Sequence, residues 1–408
     1  MSLVVQKYGG TSVGDMVRIQ NVAKKVAATF DAGNDVVVVL SAMSGVTDHL
    51  IQMAEVITER PDRREMDVLV ATGEQQTVAL MAIALNNMGY KAQSLLGYQA
   101  QIRTDSVWSN AHITRINPDP IRELLAQKKI VVVAGFQGVD REGNVTTLGR
   151  GGSDTSAVAV AAAVSADVCE IFTDVKGVYT ADPGVVPGAR MLKTVTHDVM
   201  LEMADHGAKV LQIRSVEFAK KFNVPVHVRS SFCDEEGTMI VSEKEGMECM
   251  VVEGVTSSKK EARVTVTKVP DQPGVASKIF SAVADIGVSV DMIIQNTRSG
   301  NLTDITFTVP RTEYKRTMEV VRKVASEVGA ESVAGDENVA TVSVIGVGMR
   351  TNRGVAAKMF DTLAKDGINI MMISTSEIRI TCAIEEKYSE LAVRSLHTAF
   401  GLDAVQEA

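Results

Sequence analysis

Cysteine is scarce: the 408 residues hold four, Cys169, Cys233, Cys249 and Cys382, with no Cys-x-x-Cys pair. That spacing excludes a disulfide framework and a thiolate zinc site, and reduced thiols in a cytoplasmic setting are expected. Long apolar runs are missing too. Val36–Leu40 and Ile130–Ala134 are strand-sized, so no membrane span is expected, and the N-terminus lacks the basic stretch and apolar core of a signal peptide. No basic cluster exceeds Lys259-Lys260 in a chain of formal net charge −8. This argues against nucleic acid and for small molecules as partners. The six histidines have no metal-like spacing, and neither Gly-x-x-x-x-Gly-Lys nor Gly-x-Gly-x-x-Gly occurs, so the P-loop and dinucleotide fingerprints are absent. Trp108, the single tryptophan, has no evident role.

What is present is alternation. At 45% hydrophobic, the chain can bury cores for two or three domains. To about residue 245, β-branched runs alternate with helical stretches, the pattern of a parallel sheet covered on both faces. The strands expected are Leu3 to Gln6, Val36 to Leu40, Lys91 to Leu95, Ile130 to Ala134, Glu170 to Thr173 and Val224 to Val228. Helices are expected over Val17 to Ala32, Glu74 to Asn87 with Thr72 as cap, and Ser153 to Ser165. Ligands of such sheets sit beyond the carboxyl ends of strands, where Lys7, Ser41 and Gly135 fall. Past Glu243-Lys244-Glu245-Gly246 the character changes. Residues 274 to 293 align with 354 to 373 at a constant offset of 80, sharing Gly-Val-Ala, a Lys, a Phe and a closing Met-Ile. Each copy reads as a small α+β sandwich of the ferredoxin-like kind.

Three polar loops fall at strand ends. Lys7-Tyr8-Gly9-Gly10-Thr11-Ser12-Val13-Gly14 joins a cation to two glycines, which let backbone N–H groups approach an anion, and the following helix is expected to turn its positive end to the same spot. Leu148-Gly149-Arg150-Gly151-Gly152-Ser153-Asp154-Thr155 opens an alanine-rich helix. Phe172-Thr173-Asp174-Val175-Lys176-Gly177-Val178-Tyr179-Thr180-Ala181-Asp182-Pro183 follows an apolar strand. Singly, each could be a structural turn; together they point to a phosphate site.

These segments resemble the amino-acid kinase family, and within it the aspartokinase branch, which carries Lys-Tyr-Gly-Gly-Thr-Ser-Val, Gly-Arg-Gly-Gly-Ser-Asp-Thr and Phe-Thr-Asp-Val-x-Gly-Val-Tyr-Thr-Ala-Asp-Pro, followed by paired ACT domains. The resemblance covers essentially the whole chain. It implies a three-layer αβα kinase domain over 1–245 with a mostly parallel sheet. A regulatory region over 246–408 follows, with two βαββαβ ACT repeats at about 262–337 and 338–408, nested if strand 248–255 joins the second. The implied reaction moves the γ-phosphoryl group of MgATP to the β-carboxylate of L-aspartate, giving 4-phospho-L-aspartate on the route to lysine, threonine and methionine. A carboxylate with a pKa of about 4 is already ionised, so no base is needed and repulsion between two anions is the obstacle.

By the same resemblance Lys7 and Asp182 are catalytic, and ATP meets Lys7, Tyr8, Gly9, Gly10, Ser12, Ser41, Thr173, Asp174, Tyr179, Asp182 and Lys209. Aspartate meets Thr47, Glu74, Arg150, Gly151, Gly152, Ser153 and Asp154. Arg150 offers a planar fork for a carboxylate and Glu74 an acceptor for an ammonium. A glutamate suiting the helix dipole and an aspartate capping a helix are the structural readings of Glu74 and Asp154. No magnesium ligand is assigned, since the ion binds mainly through nucleotide oxygens and water. Effector positions are Asp271, Gln272, Gly274, Val290, Asp291 and Gln295 in the first copy, and Asn369, Ile370, Ser374, Thr375, Ser376 and Glu377 in the second. Lysine and threonine are the expected effectors, in a homo-oligomer joined through ACT domains, with an internal start near Met247 or Met250 giving a short regulatory subunit. The competing readings are another kinase of this fold, of the glutamate 5-kinase, acetylglutamate kinase or uridylate kinase type, and a non-catalytic amino-acid sensor.

Overall fold

The computed structural model describes residues 2–208, 210–242, 251–298, 300–350 and 352–403. Lys209, Met247 and Met250 lie outside them. The chain forms two compact units. Met1–Val178, Met191–Asp205 and Lys209–Gly246 build the first; Tyr179–Arg190, His206–Ala208 and Met247–Ala408 build the second.

In the first unit the valine-rich runs become Leu3–Tyr8, Asp35–Leu40 and Ile130–Ala134, nearly all buried because helices cover both faces. They lie in an eight-stranded sheet of order Thr194–Thr196, Thr238–Val241, Val226–Ser230, Val168–Thr173, Leu3–Tyr8, Asp35–Leu40, Ile130–Ala134, Ala92–Leu95. Neighbours are parallel except Val226–Ser230 with Thr238–Val241. The short strands Thr194–Thr196 and Thr238–Val241 were not expected from sequence. Neither was a second sheet of four strands, Ile113–Ile116, Ile102–Thr104, Gln137–Val139 and Val145–Thr147. The core packs Val36, Val38, Ile130 and Val132 against Ile19, Val22 and Val26 of helix Met16–Asp31 and Val78, Met81 and Leu85 of helix Thr72–Asn87.

Two helix starts differ from the expectation. Thr72 does not cap: helix Arg63–Val70, capped by Asp62 side-chain bonds to the Arg64 and Glu65 N–H groups, runs on to Ala71, which is itself αR, and the Thr72 hydroxyl donates back to Leu69 O at 2.7 Å. The helical run Arg63–Asn87 is consequently long and apolar enough, by length and composition, to cross a membrane, yet half of its most apolar window is buried within the fold. It is a core helix that reading Thr72 as a start had cut short. Likewise, the helix after the first glycine loop begins only at Met16, behind a 3₁₀ turn Gly10–Val13. Its N-terminus is occupied by Asp15, whose carboxylate accepts the Arg18 N–H at 2.8 Å. The positive end of this helix is thus already neutralised by an anion of the chain.

In the second unit the first repeat runs Glu261–Pro270, Val275–Asp285, Ile293–Arg298, Leu302–Pro310, Tyr314–Val328, Ser332–Asp336, and the second Val339–Ile345, Val355–Lys365, Met372–Thr375, Arg379–Glu385, Ser389–Ala399. Strand Gly254–Ser258, which precedes both, pairs antiparallel with Val339–Ile345 of the second copy. Both repeat helices start at a left-handed glycine, Gly274 at φ 94° and Gly354 at φ 93°, a conformation that a side chain would strain.

Segment Tyr179–Arg190 also belongs here. Ala181 and Val186 join Val252, Val255, Val344, Leu396 and Leu402 in one buried cluster. The Val255 N–H donates to Thr180 O at 2.8 Å, and Arg190 Nε donates to Leu402 O at 2.7 Å. The Thr180 hydroxyl accepts the Arg190 N–H at 3.0 Å and lies 2.9 Å from His397 Nε2. Burial holds the His397 imidazole below its ordinary pKa.

Candidate active site

Parallel pairing sets Lys7 beside Val39 and Ile171, one residue from the carboxyl end of the central strand. Beyond it Gly10 packs so closely under the neighbouring loop that a Cβ would sit 2.8 Å from the Ala42 carbonyl oxygen. The Ser41 N–H donates to Tyr8 O and the Ser44 N–H to Gly10 O, each at 3.2 Å, fixing the loop after Leu40 against the glycine turn. Tyr8 points the other way. Its ring is fully buried and stacks on Phe172 at 4.5 Å, so only its backbone reaches the loop. Burial and the Glu170 charge raise its phenol well above the usual range. Ser12 Oγ lies 2.5 Å from Ser231 Oγ, and the Ser231 N–H donates to Thr173 O at 2.8 Å, joining the first and third loops.

A cavity of about 440 Å³ opens beside these strand ends. Lys7 enters it paired with Asp154: Nζ and Oδ1 are 2.6 Å apart, an ion contact whose angles are not those of a hydrogen bond. Both side chains are mostly buried, so the cation and the anion neutralise each other.

Glu74, in the first turn of Thr72–Asn87, is 3% exposed. Its Oε1 accepts the Ala42 N–H at 2.9 Å, while Oε2 is buried with no hydrogen-bond partner among the described residues. Burial pushes this carboxyl up to about 7, against the pull of the backbone N–H groups.

Arg150 stands on a loop between Gly149 at φ 76° and Gly151 at φ 70°, and Gly151 must be glycine, since a Cβ would fall 1.6 Å from Gln212 Cγ. The arginine is exposed and makes no hydrogen bond or ion pair within the described residues.

Among the cavity residues that sequence reasoning missed, two are distinctive. Phe136 holds a positive φ of 66°, rare for a bulky residue, with its N–H bound to Ser156 Oγ at 3.1 Å. Asp67 is fully buried in the wall, where its carboxylate accepts bonds from Ser109 and Thr147. Phe136 directly follows the strand Ile130–Ala134 and Gly135, where ligand contacts concentrate, and could have been found that way. Asp67 gives no local signal.

Of the residues anticipated, Lys7, Ser41, Thr47, Glu74, Arg150, Gly151, Gly152, Ser153 and Asp154 line this one cavity. Gly9, Gly10, Ser12, Thr173 and Asp174 lie in the same unit but outside the lining. Tyr179 and Asp182 fall in the second unit, where Asp182 Oδ1 accepts the Gly184 N–H at 2.8 Å. There, too, Asp271, Gln272, Gly274, Asp291, Gln295, Asn369, Thr375, Ser376 and Glu377 are exposed, and Val290, Ile370 and Ser374 are half-buried. No three His, Cys, Asp or Glu among the described residues are grouped to hold a metal ion.

Residues 2–230 match the amino acid kinase family, and residues 264–324 and 342–400 match the ACT domain. The chain is 55% identical over 406 residues to the aspartokinase of Pseudomonas aeruginosa, covering 99% of this chain and 98% of that one. It is 48% identical over 413 residues to the aspartokinase of Corynebacterium glutamicum, covering 100% and 98%. Among solved structures it is similar to E. coli aspartokinase III in complex with aspartate and ADP, an R-state, with TM-score 0.79, 26% identity and coverage of 97% and 99%. It is also similar to that enzyme in complex with lysine and aspartate, a T-state, with TM-score 0.74, 26% identity and coverage of 98% and 99%. The chain belongs to the amino acid kinase family and, within it, to the aspartate kinases.

Proposed function

We propose that the cavity holds L-aspartate with its β-carboxylate facing Lys7, and that the γ-phosphoryl group of ATP is transferred to it, giving 4-phospho-L-aspartate and ADP on the route to lysine, threonine and methionine. One carboxylate oxygen bonds to phosphorus as the bond to the bridging β,γ oxygen breaks, and the electron pair leaves with ADP. The nucleophile is already ionised at neutral pH, so the chain has no proton to remove. Its task is charge. Lys7 exchanges Asp154 for the phosphate as negative charge shifts toward ADP, and the N–H groups of the Gly9-Gly10 turn contribute fixed dipoles. The capped helix behind them contributes little.

The observation that carries this reading is the buried, unpartnered Oε2 of Glu74 in a cavity that also holds a free arginine and a lysine. A buried acceptor of this kind calls for a donor, and an α-ammonium supplies one. Arg150 then takes the α-carboxylate as a fork, while Thr47, Gly151, Gly152 and Ser153 complete the wall. Ser41, Ser12, Thr173 and Asp174 are assigned to the nucleotide, as are Tyr179, Asp182 and Lys209 on their motif. Magnesium would ride on phosphate oxygens and water, which fits a donor set offering isolated carboxylates rather than a cage. The complexes of the E. coli relative with aspartate, ADP and lysine support the same ligand classes here.

For the second unit we assign feedback by lysine, threonine or both to the exposed loop and strand-end residues of the two repeats, in a homo-oligomer joined through them, with a short chain from an internal start as a further product. Initial rates of ADP release with aspartate and MgATP, alone and with lysine, threonine and both, test the whole reading. Aspartate-dependent turnover, absent with glutamate or acetylglutamate, is the expected result; no turnover with aspartate overturns it, and rates untouched by either amino acid remove the feedback.

A further inference from the structure

Three buried carboxylates line the cavity: Asp154 is paired with Lys7, and the other two differ in their bonding. Glu74 keeps one oxygen open. Asp67 has none: Oδ1 accepts the Ser109 N–H at 3.0 Å, the Ser109 hydroxyl at 3.2 Å and the Thr147 hydroxyl at 2.8 Å, while Oδ2 shares the Ser109 N–H at 3.0 Å and takes the Thr147 N–H at 2.8 Å. The two N–H groups and two hydroxyls of Ser109 and Thr147 fill its acceptor sites. Asp67 thus has no capacity left for a substrate ammonium. What it does is tie helix Arg63–Val70 to the loop at Ser109, itself held in the left-handed region at φ 65°, and to the end of strand Val145–Thr147.

Three residues beyond Thr147 stands Arg150, on a loop flanked by two positive-φ glycines. A second anchor meets the same stretch. The Arg214 guanidinium donates to Leu148 O at 2.6 Å, Ala111 O at 2.8 Å and Asn110 Oδ1 at 3.3 Å, so it grips the residue next to Thr147 and the chain next to Ser109. On its far side the loop enters the buried helix Gly152–Val164. An arginine without partners of its own depends on these anchors for its place.

We infer that Asp67 and Arg214 are positioning residues for aspartate recognition: a carboxylate clamp and a guanidinium clamp that hold the Arg150 loop at the distance from Glu74 that a bound amino acid spans. The inference rests on the proposed substrate. A displacement of about 1 Å in such a group costs up to two orders of magnitude, and the loss falls on the substrate that Arg150 holds.

The test is Asp67→Asn, whose amide turns N–H groups against a set of donors, beside Thr147→Val, which removes one bond, Thr147→Ser, which restores the hydroxyl, and Arg214→Gln. Initial rates are measured with aspartate and ATP varied in turn, with thermal melts for each variant. We expect KM for aspartate to rise about 10- to 100-fold in Asp67→Asn and Arg214→Gln and about 3- to 10-fold in Thr147→Val, with KM for ATP within about twofold and Thr147→Ser close to wild type. A lower kcat at unchanged KM for aspartate, in step with the folded fraction, overturns the clamp, as does an equal rise in KM for ATP. If Asp67→Asn does not fold, the Thr147 pair decides on the same criteria. A wild-type chain that neither turns over nor binds aspartate in calorimetry overturns the substrate reading as well, whereas an active wild type with unmoved variants overturns the clamp alone.

Discussion

Replacing Glu74 by glutamine keeps the shape of the side chain and removes its charge, and the structure fixes the sign of two separate effects. In the proposed complex the ammonium of aspartate meets the open Oε2. A bond to a charged group contributes about 2 kcal/mol, so Glu74→Gln should raise KM for aspartate roughly 30-fold at pH 8. In the wild type burial pushes the carboxyl up to about 7. Below that pH binding has to expel a proton, and KM should climb about tenfold per unit; above it KM should level off, and in Glu74→Gln the slope should vanish. Stability moves the other way. The unfolded carboxyl ionises near 4.5, so between 4.5 and about 7 the folded chain keeps a proton that the unfolded chain has lost. Stability is therefore lost as pH rises through that window, and beyond it the buried charge costs about 3 kcal/mol. Glutamine carries no such cost. The free variant should melt roughly 5–10 °C above wild type at pH 8, with the gap closing toward pH 4.5. Initial rates with aspartate varied from about pH 6 to 8.5, beside melts of the free enzyme, read both effects. A KM within about twofold of wild type would refute the assignment of Glu74 as ammonium acceptor, and a variant that melts lower at pH 8 would refute the cost ascribed to the buried charge.

Lys7→Met should lower kcat by about 10²- to 10³-fold with little change in KM for aspartate, measured by coupled ADP release, because the cation acts where charge develops. Gly10→Ala forces a Cβ to 2.8 Å from the Ala42 carbonyl; overpacking of this kind costs about 1–3 kcal/mol, and the displaced turn should raise KM for ATP in a nucleotide titration. Thr180→Val removes the hydroxyl that accepts the Arg190 N–H and faces His397. It should cost about 1–3 kcal/mol in thermal denaturation, the penalty for stranded buried partners. Because burial holds His397 below the ordinary imidazole value of 6.5, the unfolded chain protonates first and stability should fall as pH drops through about 6.5, a loss visible in melts between pH 8 and 5.5.

The central strands were legible because five-residue valine and isoleucine runs have few other uses, and the repeat because Gly274 and Gly354 must both turn left-handed. Strands as short as Thr194–Thr196 carry too few residues for a period to show. Thr72 misled for a physical reason: capping preferences are local, and a preceding helix that does not stop overrides them. The same holds for the first glycine loop, where Asp15, four residues past Thr11, takes the helix end. The cavity residues on motifs could be named from the chain, but Asp67 could not. Its partners lie 42 and 80 positions away, and only the folded sheet brings them within bonding distance.

The segment Tyr179–Arg190 has a consequence for synthesis. Ala181 and Val186 belong to a cluster that also needs Leu396 and Leu402. At ribosomal speed, about 5–20 residues per second, those last residues emerge some 10 to 40 s after the segment does. During that interval two apolar side chains and the Thr180 hydroxyl have no core to enter, although the strands on either side of them can already pair. The stretch that carries Tyr179 and Asp182 therefore takes its final form only once the C-terminal part of the chain has been made.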